Sequence, residues 1–262
     1  MSDYDRNVAT SPFGQTAGRA SSVAVDEGLR AYMLRIYNYM VLGLAITGAA
    51  ALGTYMLSVT TDPTLAALKL RDGLMLTALG KALFVGQLKW VVILAPLALV
   101  FVLSFGIERM RPATAQVVFW IYSALVGVSL ASIFMVFTHT SIVRVFFITA
   151  ASFGALSLWG YTTQRDLTGM GSFLMMGLIG IIIASLVNIF LKSSGLDWII
   201  SIVGVIVFAG LTAWDTQKIK EMYSPYDDGT VGGRKAVMGA LSLYLDFINL
   251  FLMLLRLFGD RR

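Results

Sequence analysis

The sequence predicts an all-α membrane protein of seven transmembrane helices, and three observations carry that prediction. Of its 262 residues, 57% are hydrophobic and 13% charged, with a mean hydropathy of +0.78. An ordinary soluble domain carries about 25% charged residues. The apolar runs are also continuous over bilayer length rather than alternating, which selects helices over a closed barrel as the way to satisfy the backbone in lipid. The last run, Ala236 to Phe258, holds Asp246 near its middle. A carboxylate there costs roughly 2.5 to 3.5 kcal/mol to insert and is tolerated only facing protein or water. The last helix therefore belongs inside a bundle.

Residues 1–30 are polar and rich in Ser, Gly and Ala, and read as a disordered or surface-lying tail. They lack the short apolar core and cleavage site of a signal peptide. Residues 31–262 form the seven-helix transmembrane domain. The first span covers about Ile36 to Leu57, where Ala45, Ala49 and Gly53 repeat every four residues as a small face for close helix contact. Thr60 to Lys89 is a long connection, and its stretch around Leu65 to Phe84 is amphipathic enough to lie along the interface. The second span, about Trp90 to Ile107, ends in Glu108-Arg109-Met110-Arg111-Pro112, with Pro112 suited to the first turn of the next helix.

The third span covers about Ala113 to Phe137, with Gly127 and Ala131 as a small pair. His139, the only histidine, falls in the loop after it; a lone loop histidine is no metal site. The fourth span is about Ile142 to Tyr161 and the fifth about Met170 to Leu191, with Gly177, Gly180 and Ala184 as helix contacts. The sixth, about Trp198 to Ala213, runs straight into Trp214-Asp215-Thr216-Gln217-Lys218, and the last helix follows the Lys218 to Lys235 loop.

The net charge of +5 suits loops beside anionic lipid and does not argue for nucleic acid. The absence of cysteine excludes disulfides and thiolate metal sites. With the N-terminus inside, seven full crossings divide Lys and Arg 11 inside to 9 outside. Placing Arg256, Arg261 and Arg262 inside as well gives 14 to 6, which seven crossings forbid. The charge pattern thus leaves open whether the last helix spans fully or is partly re-entrant.

The chemistry rests on two carboxylates. Asp215 ends one membrane helix and Asp246 centres the next, and consecutive helices are usually neighbours. If the two meet they cannot both ionise cheaply, so one proton is shared and the pair titrates in two separated steps. That is the physics of a pH sensor or a cation site. The plainer reading is a single buried aspartate supported by Ser242 and Asn249 on its own helical face. Arg109 is the best candidate cation, with Arg111 beside it and Lys218 one turn from Asp215. An arginine beside a carboxylate stabilises the anion and acts as a removable lock.

The segments Ala213 to Ile219 (AWDTQKI) and Leu241 to Phe251 (LSLYLDFINLF) resemble the two signatures of the Bax inhibitor-1 family of membrane proteins. The resemblance implies six helices around a central seventh and a pH-sensitive calcium leak in a bacterial inner membrane, gated by an aspartate pair. That pair maps onto Asp215 and Asp246, and the locking arginine onto Arg109. No resident cofactor is implied, Ca²⁺ being the permeant ion. Two aspartates, Asn249 and water offer only part of the six to eight oxygens Ca²⁺ wants, so its binding here is expected to be weak and transient.

Competing readings need different residues. Intramembrane aspartyl proteases approach the second aspartate through Gly-x-Gly-Asp, whereas Leu243-Tyr244-Leu245 precedes Asp246 here, and their Pro-Ala-Leu element is missing. Neither a phosphate-binding glycine loop nor a zinc motif is present, so no enzyme is expected. The alternative is a regulator that binds a membrane-anchored protease, with the tail as bait. The expected surroundings are membrane lipid, not nucleic acid.

Overall fold

The computed structural model describes residues 12–71 and 74–261, and the side chains of 27–70 and 74–261. Helix α1 (Pro12–Ser58) opens the chain and so begins within the stretch read as a tail; residues 1–11 lie outside the described residues. Seven stretches among the described residues are long and apolar enough to cross a membrane. They are Glu27–Ser58, Leu88–Arg109, Pro112–Val136, His139–Thr162, Thr168–Leu191, Ser194–Glu221 and Gly229–Phe258.

The first connection departs from expectation. In place of an amphipathic segment along the interface stands an antiparallel sheet of β1 (Val59–Thr60), β2 (Leu68–Arg71) and β3 (Leu74–Leu76), in the order β1-β3-β2. Leu74 and Leu76 alternate into the protein while Met75 between them is half-exposed, the period of two of a strand rather than the 3.6 of a helix. Helix α2 (Ala78–Phe84) follows, capped by Thr77, whose hydroxyl accepts from the Gly80 amide.

Helix α3 (Leu88–Gly106) leads through a 3₁₀ turn (Ile107–Arg109) into α4 (Pro112–Leu130), with Pro112 in its first turn as expected. The third span is not one helix: it breaks at Ala131-Ser132 and resumes as α5 (Ile133–Val136). There the Ala131 amide tightens to a bond with Val128 O, and Ser129 Oγ donates to Val92 O of α3 instead of to its own helix. His139 does not lie in a loop. It is the first residue of α6 (His139–Thr162), edge-on to the rings of Tyr55 and Phe134, with Thr138 as the cap. Helix α7 (Thr168–Leu191) closes in a left-handed Lys192, and α8 (Ser194–Glu221) is one unbroken helix through Trp214 and Asp215.

Helix α9 (Gly229–Phe258) begins seven residues before the expected Ala236, because Asp228 accepts from the amides of Thr230 and Val231 and caps it there. Its first turns are tied to one face of the molecule: Arg234 Nε donates to Met110 O at 2.7 Å, and Lys235 Nζ to Met222 O at 2.9 Å and Asp227 at 2.6 Å. Its end is tied to the opposite face. Arg256 lies 3.5 Å from Asp197 at the start of α8, Thr138 N donates to Asp260 O, and Phe137 pairs with Arg261. The last helix is therefore tied down at both of its ends, and it is long and apolar enough to cross a membrane.

Burial grades the helices. In α9, 67% of the most apolar stretch is buried within the protein, against 11% in α3 and in α7. Helix α9 packs against α1, α4, α6 and α8, while α3 leans on α4 and α7 on α8. Close approach on α1 does not use the expected face of Ala45, Ala49 and Gly53. Gly43 and Thr47 do that work: Gly43 meets Phe119 and Ser123, and Gly127 of α4 rests on the Thr47 backbone.

Candidate functional site

Helices α8 and α9 run antiparallel with small residues at their crossings. Gly204 faces Met253 at one end, and Gly239 lies between Ile36 of α1 and Ile219 of α8 at the other. This register sets Asp215 within about one turn of Asp246. Their carboxyl groups meet across the two helices, each within reach of the other. A bond between two carboxyls needs a proton on one of them, which that group donates to the other.

Asp246 is 5% exposed, and no N–H or O–H donor reaches its buried Oδ2, while Asp215 is half-buried. The hydroxyls nearby are committed elsewhere. Thr212 Oγ1 donates to Phe208 O, and Thr216 Oγ1 to Thr212 O, each at 2.7 Å. Ser157 of α6 bonds Thr216 at 2.9 Å and Tyr37 of α1 at 2.6 Å, so a hydroxyl relay joins three helices beside the pair without touching it.

Backbone contacts hold α8 in place. A Cβ on Gly160 of α6 would strike the Ala213 carbonyl, and one on Gly171 of α7 would strike the Trp214 indole. Gln217 accepts from Leu167 N and donates to Arg165 O, both at 2.8 Å, and so anchors the α6–α7 connection beside the site. In that connection Asp166 is held below the usual carboxylate range by hydrogen bonds from the Thr168 side chain and backbone.

The structure thus brings Asp215 and Asp246 together and leaves the other expected residues apart. Asn249 donates to Leu245 O of its own helix at 2.8 Å, and Ser242 is half-buried on the same helix. Arg109 and Arg111 are exposed on the turn before α4; the cation that acts on Asp215 is Lys218, whose ammonium lies 4.8 Å from the centre of the Trp214 ring. Among the described residues no group of three or more His, Cys, Asp or Glu could hold a metal ion, so any cation here meets two carboxyls. Sequence reasoning missed the relay and Arg234. Thr216 lay within the AWDTQKI segment, but its partner in the relay, Ser157, is 59 residues away. Nothing near Arg234 in the chain signals its bond to Met110, 124 residues distant.

Comparison with known proteins agrees with this layout. The family model described as Inhibitor of apoptosis-promoting Bax1 matches residues 29–262. A protein of Rickettsia prowazekii is 45% identical over 262 residues, covering all of both chains. One of Caulobacter vibrioides is 44% identical over 268 residues, again covering both in full. The Escherichia coli inner membrane protein YbhL is 46% identical over 244 residues, which are 92% of this chain and 97% of YbhL.

Proposed function

The chain belongs to the Bax inhibitor-1 family, and from that premise we propose that it is a pH-sensitive cation leak, with calcium as the ion, gated by Asp215 and Asp246. It is a multi-pass integral protein of the bacterial inner membrane. The observation that carries the proposal is the meeting of two aspartates from adjacent membrane helices, with Asp246 buried and its Oδ2 without a hydrogen-bond donor.

Such a pair is a proton switch. With no proton the two anions repel and need a cation beside them; with one proton the pair carries a single negative charge and that need is relieved. A calcium ion arriving there finds two hard carboxylates and must keep several waters, which favours passage over residence. Arg109 is proposed as the lock, through a closed state in which it reaches Asp215 from its turn. Acid then opens the lock by protonating the anion that the arginine holds, and at still lower pH the loss of carboxylate ligands slows the ion. In this reading the protein transports and does not catalyse, and its surroundings are lipid.

Reconstitution tests the proposal. The purified chain, and the chain lacking residues 1–26, are placed in liposomes containing a calcium indicator. Both should admit Ca²⁺ faster than protein-free liposomes, with a pH-dependent rate. Flux indistinguishable from protein-free liposomes at every pH would sink the leak and favour the regulator of a membrane-anchored protease, which needs its partner.

A further inference from the structure

Helices α1 and α6 diverge around a lateral groove of about 1060 Å³, floored by Phe247, Ile248 and Phe251 of α9. It runs from Arg30 and Tyr161 at one face to Phe134 and His139 at the other. The 22 steps from His139 to Tyr161 rise roughly 33 Å along the helix, about the thickness of a bilayer's hydrocarbon core. Of the small face of α1 expected to pack against a helix, Ala45 borders this groove, with Gly48 nearby on the same helix and Gly154 of α6 also lining it. A Cβ on Gly48 or Gly154 would meet nothing within 4 Å.

The shape and chemistry select the occupant. A flexible hydrocarbon chain fits. The hydroxyls along its shaft are already bonded, Thr47 to Tyr244 at 2.6 Å and Tyr37 to Ser157 at 2.6 Å, which leaves the shaft without a polar anchor. Polarity is confined to the ends. At one end stands Arg30, and Lys220 lies over the Tyr161 ring at 5.2 Å while its ammonium donates to Tyr161 O. Two cations at the mouth of an apolar trough complement an anionic headgroup.

We propose that this groove seats one anionic phospholipid, an acyl chain lying along Phe247 and Phe251 and the phosphate at Arg30. The site is independent of whether the aspartate pair conducts. Its floor adjoins Asp246 through Phe247, so its occupant bears on the helix that carries the pair.

The test is native mass spectrometry of the full chain in detergent, titrated with phosphatidylglycerol or with phosphatidylcholine. Wild type should hold one phosphatidylglycerol in preference to phosphatidylcholine. Arg30→Ala should reduce that preference about fivefold, the change expected for one basic residue at an anionic surface. Gly154→Leu fills the groove and should abolish binding of both lipids. Gly180→Leu on α7, equally open to its surroundings, should bind as wild type does. Thermal unfolding confirms that each variant is folded. Equal binding of the two lipids by wild type, or undiminished phosphatidylglycerol on Gly154→Leu, overturns the proposal. So does a dimer that Gly154→Leu dissociates, since a second copy would then be the occupant.

Discussion

Ser157 on α6 and Thr216 on α8 are joined by a 2.9 Å hydrogen bond one residue beyond Asp215. Successive residues on a helix point about 100° apart, so turning Thr216 toward α6 turns Asp215 toward α9. The relay therefore sets the direction of the carboxylate without contacting it. Ser157→Ala breaks the bonds to both Thr216 and Tyr37. Hydrogen bonds between membrane helices contribute about 0.6 kcal/mol on average and up to about 1.7. The variant should lose roughly 1 to 2 kcal/mol in a chemical unfolding titration in micelles, and a loss within error of zero would mean that the relay holds nothing.

Gly160 is the sharper test of how α8 is held. Its added Cβ would meet the backbone of Ala213, which cannot swing aside as a side chain can. Gly160→Ala should cost about 1 to 3 kcal/mol by overpacking. Gly154→Ala lies six residues earlier on the same helix, where a Cβ meets nothing, and should be neutral or stabilising by up to about 1 kcal/mol through backbone entropy. Equal melting temperatures for the two variants would contradict the close approach.

Much of this architecture was legible in the sequence. The seven spans follow from run length and hydropathy alone, and Asp246 marks the buried helix because an unpartnered carboxylate in lipid is too costly. The pair was legible because consecutive helices usually touch. What stayed hidden depends on long-range packing. Gly43 and Thr47 rather than Ala45 and Gly53 meet α4, where Phe119, Ser123 and Gly127 receive them. The sheet after α1 was read as amphipathic because strand and helix periods are hard to separate over three or four residues. Arg234 was invisible because its partner is a distant carbonyl.

Arg109 and Arg111 are both exposed on one turn, which makes them a matched pair for testing the lock. Arg109→Ala should raise calcium flux at alkaline pH, where the wild type is closed, and change little where acid has already opened it. Arg111→Ala removes an equal charge and should behave as wild type. Flux at alkaline pH that is the same in all three proteins places the lock elsewhere.

Asp166 supplies a pH dependence of a different kind. Its hydrogen bonds with Thr168 hold it below the usual carboxylate value. A depressed value means that the stabilisation is present above the ordinary carboxylate range and is lost as pH falls through the lowered one. Asp166→Asn should therefore remove a small stabilisation at neutral pH and flatten the loss that wild type shows below about pH 4. Melting curves from pH 7 to pH 3 check this. Any flux transition near neutrality should survive the substitution, because Asp166 keeps its charge there.

The central claim is that Asp215 and Asp246 act as one proton-sharing unit, and calcium flux into liposomes as a function of pH tests it most directly. Asn keeps the shape of each side chain and removes its titration, so Asp215→Asn and Asp246→Asn should fold and insert. Each should lose or flatten the pH response of the wild type. If both single variants conduct with the wild-type pH profile, the pair does not gate the protein.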